Sequence, residues 1–193
     1  MAAFQSIDLF GGAVKAQYPK NFIDASELRQ IPDHQEVYLE SDGFTNIVVE
    51  FLERPPDLKC PTDVDAALFH LSDISEDDEL LETDVRSKDT IQFQKASNLA
   101  AVSIIALNAS SSSREASLEE RVQSTLIRLL LLRAKNATDI LITINIPLTS
   151  EHGFGNDGKL DQALIEQATS KADNIAQKIS ETFEIVDESL FAG

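Results

Sequence analysis

The chain has 193 residues, 42% of them apolar, with seven Gly and six Pro, so it can bury an ordinary core and is no low-complexity polymer. Its 33 acids against 16 bases give a net charge of −17, which disfavours contact with nucleic-acid phosphates and favours a basic protein partner or a metal ion. Solubility alone is the competing reason for such a charge.

The acidity is uneven. Residues 1–90 hold 20 acids against 7 bases, net −13, and residues 91–193 hold 13 against 9, net −4. One domain spanning 1–193 is expected from the length. The single Cys60 excludes an internal disulfide and fits a reducing compartment. No apolar run approaches the roughly 20 residues that span a bilayer, and residues 1–23 show no basic segment followed by an apolar one, so a soluble intracellular protein without a secretory leader is expected.

In chain order, Ile7–Phe10 and Ala13–Tyr18 flank Gly11-Gly12, which predicts a β-hairpin with a two-residue turn, closed by Pro19. Asp24 offers an N-cap oxygen, with Glu27 three residues on completing a capping-box pattern. The helix that follows must be short, because Pro32 disfavours α conformation at Ile31. Gln35–Leu39 and Asn46–Leu52 read as strands joined through Ser41-Asp42-Gly43. In the second, Ile47, Val49 and Phe51 alternate with Val48, Glu50 and Leu52, so both faces are largely apolar and helices are expected on both sides of the sheet. Glu50 is then an acid in an apolar row: either the structural partner of an arginine such as Arg29 or Arg128, or a carboxylate held rigid for an incoming cation. Glu53 lies three positions on and faces the opposite way unless the backbone turns near Leu52.

Thr62-Asp-Val-Asp opens a helix whose inner stripe is Val64, Leu68 and Leu71. Eight acids between Asp73 and Asp89, against Arg86 and Lys88, predict a solvated, mobile connection. A calcium loop there is rejected, because glycine at loop position six and glutamate at position twelve are missing. Leu99–Leu107, Thr125–Arg133 and Asp139–Ile146 predict an antiparallel meander. The stretch Arg121–Arg133 is apolar enough for a helix, but its short connection to Asp139 favours a hairpin strand. Gly153–Gly158 reads as a loop, Leu160–Phe183 as a long helix, Phe183–Val186 as an edge strand and Ser189–Phe191 as a segment that tucks back.

The residue inventory argues for binding rather than catalysis. His34, His70 and His152 stand in separate contexts, so neither a zinc site nor any other metal or cofactor is expected. Cys60 lacks an obvious base, and no phosphate-binding or nucleophile-elbow motif is present. A small acidic hydrolase built on Asp33, His34 and Glu36 is the enzyme alternative. An acidic adaptor or chaperone for basic nuclear-import proteins is the binding alternative.

Leu9-Phe-Gly-Gly-Ala13, Phe22-Ile-Asp-Ala-Ser26, Leu28-Arg29, Pro32-Asp33, Gln35-Glu36-Val37 and Val49-Glu-Phe-Leu-Glu53 closely resemble the Mog1 family of Ran guanine nucleotide release factors. Asp139-Ile-Leu-Ile-Thr-Ile-Asn145 with Pro147, and Val186-Asp-Glu-Ser-Leu-Phe191, extend the resemblance over nearly the whole chain; residues 73–90 and 109–120 diverge. The resemblance implies an α+β fold, a three-layer α/β/α sandwich on a mostly antiparallel sheet shared with the PsbP proteins. It also implies binding to the small GTPase Ran and release of its nucleotide, GTP in particular, in the nucleus, in support of nucleocytoplasmic transport; a monomer is the default expectation, and the residue inventory points to no catalytic step of its own. The family's functional acids map onto Glu50 and Glu53, although some members carry Asp where this chain has Glu50. Asp24, Asp33 and Glu36 match further acids, and Gln35 and Arg29 complete the set expected to face Ran.

Overall fold

Branched apolar residues at every second position draw the middle of the chain into one seven-stranded antiparallel sheet, ordered β3-β4-β5-β9-β8-β7-β6. In this computed structural model, which describes residues 3–76, 81–110, 122–149 and 161–191, those strands are β3 (Phe22–Asp24), β4 (Gln35–Glu40), β5 (Asn46–Glu53), β6 (Leu81–Ile91), β7 (Ala101–Ser110), β8 (Val122–Arg133) and β9 (Thr138–Thr149). A second, three-stranded antiparallel sheet joins β1 (Phe4–Leu9), β2 (Val14–Pro19) and β10 (Glu184–Ile185) in the order β1-β2-β10. Helix α1 (Asp63–Glu76) packs over β7 and β8, and helix α2 (Gln162–Thr182) packs against β8, β9 and β2. The α+β sandwich expected from the resemblance is the fold observed.

Two cores follow from strand alternation. On the α2 side, Ile47, Val49, Ile140, Ile142 and Ile144 meet Ala172, Ile175 and Ile179 of the helix. On the α1 side, Val102, Ile104, Leu129, Leu131 and Leu141 meet Ala66, Ala67 and Leu71. The fully buried alanines of α1 let its backbone lie close to the sheet. The α2-side row of β5, Ile47 and Val49, is buried, whereas Val48, Glu50 and Leu52 on the other face are only half-buried, because α1 lies over β7 and β8; the cover expected on both faces of β5 is complete on one.

Three local expectations are corrected. The turn after β1 spans four residues, Phe10–Ala13, since Leu9 pairs with Val14, and Phe10 lies in the turn rather than the strand. The single 3-10 turn Ala25–Glu27 is capped by Asp24, whose carboxylate accepts from the Ser26 N–H at 2.8 Å, so the capping box with Glu27 is not used. The acidic connection is largely the edge strand β6, paired with β7 over its length with an irregularity between Val85 and Ser87. Its polarity has a plain cause: an edge strand facing water needs few buried side chains, and charges there block edge-to-edge association. Residues 77–80, the Ser-rich 111–121 and the predicted loop 153–158 lie outside the described residues.

The long strands β7, β8 and β9 form the predicted meander, Arg121–Arg133 contributing a strand from Val122 onward. β10 pairs with β2, and a 3-10 turn Glu188–Phe191 follows it. A buried polar cluster pins α1 to the sheet. Asp139 on β9, fully buried, lies 2.9 Å from His70 Nε2, 3.3 Å from Arg54 Nε and 3.0 Å from Arg133 Nε. The convergence of His70, Arg54 and Arg133 is not legible along the chain, because they come from three separate elements.

Candidate functional site

The candidate residues gather at one stepped end of the large sheet. β3 pairs with β4 only from Tyr38 to Glu40, leaving Gln35–Val37 beyond its reach. β4 pairs with β5 only as far as Gln35 opposite Glu50, so Phe51–Glu53 extend one step further. Each inner strand overhangs its outer neighbour, and an acid stands at each step: Asp24 ending β3, Glu36 starting β4, Glu50 and Glu53 on β5. The segment 25–34, carrying the exposed Arg29 and Asp33, connects the first two steps.

At the first step the surface is hollowed into a groove of about 430 Å³, lined by Asp24, Asp33, Gln35 and Glu36 with apolar Phe10, Ile31, Pro32 and Leu190 among its walls. Four of the seven sequence-predicted residues therefore share one cavity. Glu50 and Glu53 do not line it. Glu50 joins it indirectly, accepting a hydrogen bond from the Gln35 side-chain amide, which lies opposite it in the ladder.

Glu50 and Glu53 leave opposite faces of the sheet. Their ladder with β9 runs without interruption from Asn46 to Glu53, so the bend near Leu52 that would bring them together is absent. What unites them is the open edge beyond β4, where a partner can reach both sides of one strand. Neither arginine considered from sequence pairs with Glu50: Arg128 meets Asp173 at 3.3 Å, and Arg29 forms no ion pair among the described residues. Asp24, Asp33, Glu36, Glu50 and Glu53 have no Lys or Arg partner among the described residues, whereas Glu40, Glu184 and Glu188 each hold a lysine.

Glu36 is half-buried at the groove wall. Its Oε1 accepts the Phe10 N–H at 2.6 Å. Burial raises its pKa above the ordinary carboxylate value; the Phe10 hydrogen bond opposes this and the Asp24 charge adds to it. The Tyr38 phenol is pushed far upward by burial and by the surrounding Asp24, Glu36, Asp8 and Glu27. Uncompensated negative potential of this kind favours an incoming cation. His34 forms no side-chain hydrogen bond to Asp33 or Glu36, so the geometry of a hydrolytic dyad is absent there. Among the described residues no group of three or more His, Cys, Asp or Glu is placed to hold a metal ion.

Sequence reasoning missed Phe10 and Leu190 as groove walls. Both lie in blocks singled out above, Leu9–Ala13 and Val186–Phe191, yet nothing local says that these distant segments meet.

Fold and site together define an α+β sandwich with an anionic groove and open strand edge at one end, the form of a protein-binding domain. Residues 7–147 match the family model described as "Ran-interacting Mog1 protein", and the chain belongs to that family. It is 31% identical to the nuclear import protein MOG1 of Saccharomyces cerevisiae, across 97% of this chain and 85% of the relative. It is 35% identical to a Ran guanine nucleotide release factor of Danio rerio, across 72% of this chain and 76% of that one. The crystal structure of the S. cerevisiae Ran-binding protein Mog1p superposes with a TM-score of 0.75 at 26% identity, covering 99% of this chain and 100% of that one.

Proposed function

We propose that this chain, acting as one domain over residues 1–193, binds the small GTPase Ran and releases its guanine nucleotide, GTP in particular, in support of nuclear import. The observation that carries the reading is the family match over the block containing five acids that no cation of the described residues neutralises. Glu50 and Glu53 at the overhanging end of β5 engage lysine or arginine side chains of Ran that otherwise hold phosphate. Asp24, Asp33 and Glu36 in the groove, with Gln35 orienting Glu50 and Arg29 at the rim, extend the contact.

Release then needs no covalent chemistry and no cofactor. The factor competes for the nucleotide's cationic ligands, and by linkage bound nucleotide weakens the factor's affinity by the same free energy. A regulator that works by binding is not a catalyst in the usual sense. Its place of work is the nucleus, with exchange through the cytoplasm, and it acts as a monomer.

The purified chain mixed with GTP-loaded Ran tests the reading. A stable complex that contains both proteins and no nucleotide is expected on size exclusion with nucleotide analysis. Co-elution with nucleotide still bound, or binding of histones and import receptors as strongly as Ran, points instead to a general acidic adaptor.

A further inference from the structure

We propose that Phe10 is a positioning residue of this site: its ring, stacked on Phe51, anchors the backbone N–H that holds the Glu36 carboxylate at the groove wall, and it acts on partner affinity through Glu36. The proposal rests on the Ran-binding reading and deepens it.

Phe10, Gly11 and Gly12 adopt φ values of 50°, 65° and 94°, three left-handed residues in succession. Glycine takes such angles freely, whereas a bulky aromatic residue is an outlier there and persists only where its surroundings fix it. The surroundings are visible. The Phe10 N–H donates to Glu36 Oε1 at 2.6 Å, and its ring lies 4.2 Å from that of Phe51 at an interplanar angle of 33°. Phe51 sits between Glu50 and Leu52, and its own N–H is donated to the His34 carbonyl at 3.0 Å. Phe10 also lines the groove. One strained residue therefore touches the groove acid and the strand that carries the outer acids. The titratable groups facing Glu36 are Asp24 on β3, Tyr38 on its own strand and the buried Tyr18 on β2, all acidic in kind, so the Phe10 N–H is the donor that holds this carboxylate.

A double-mutant cycle on Ran affinity tests the assignment. Phe10→Gly keeps the left-handed backbone and the N–H and removes only the ring; Glu36→Gln keeps an acceptor oxygen and removes the charge. Phe10→Gly is expected to weaken binding about tenfold alone and to cost almost nothing further beside Glu36→Gln. Wild-type affinity should rise with pH across the mildly acidic range, since Glu36 must ionise to meet a cation, and Glu36→Gln should lack that rise. Without its ring the Phe10 N–H is no longer anchored, and the hydrogen bond that lowers the Glu36 pKa weakens, so in Phe10→Gly the rise should move to higher pH. Phe51→Leu, which takes away the ring under Phe10 and keeps apolar bulk, is read by the same cycle with the same expectation. Additive losses, or a pH profile unmoved by Phe10→Gly, overturn the proposal while wild-type binding leaves the Ran reading standing. No binding of Ran by the wild type overturns both.

Discussion

At the scale of the residue, Glu36 shows how half-burying an acid trades against stability. Its pKa in the fold is raised, so the folded state holds its proton more tightly than the unfolded chain does. The resulting stability is present below the unfolded carboxylate pKa and lost as pH rises through the folded value. Glu36→Gln is accordingly expected to raise the melting temperature at pH 7, with the difference vanishing in acid, while it weakens Ran binding; thermal unfolding at both pH values checks this. Asp139 instead serves the fold through its partners. It is buried among Arg54, Arg133 and His70, and Asp139→Asn leaves buried cations under-compensated, costing about 3–5 kcal/mol in denaturant unfolding. The sequence made Glu50 legible as an acid in an apolar row, because strand alternation is local. It could not show that Gln35, rather than an arginine, is its neighbour, since that depends on the register across the hairpin between β4 and β5.

At the scale of the element, the strand ends decide what is exposed. β3, β4 and β5 stop at successive steps, and the acids at those steps form an edge site that no single strand reveals. The sequence located both β4 and β5 and the opposition of Glu50 and Glu53, but the overhang follows from pairing, which is tertiary. The same limit explains β6: its acids read as a solvated connection because an edge strand with few inward residues lacks the apolar alternation of a covered one. The turn before β2 reads as a glycine turn, although Phe10 shares its left-handed conformation. A Cβ on Gly12 would meet nothing within 4 Å, so Gly12→Ala has a purely conformational cost. At φ 94° that cost is expected to reach about 1 kcal/mol or more in unfolding measurements.

At the scale of the whole molecule, charge is unevenly distributed. The half bearing the site carries net −13 and the other half −4, so the field is strongest where Ran is expected to dock. Association with Ran should slow steeply between about 0.05 and about 0.5 M salt, because screening removes long-range steering before it removes close contacts. Stopped-flow binding across that range checks the expectation. The sandwich itself, two helices on opposite faces of a large antiparallel sheet, was legible because β5 and the meander strands are apolar on both sides. The central claim is that unpaired acids on the overhanging edge displace nucleotide from Ran. Its most direct test is the release of fluorescent GTP from Ran by the wild type and by Glu50→Lys. Removing one desolvated interfacial charge typically costs about 2–5 kcal/mol, so the variant, folded by circular dichroism, should leave release at Ran's own slow rate while the wild type accelerates it. Equal acceleration by both proteins would contradict the account.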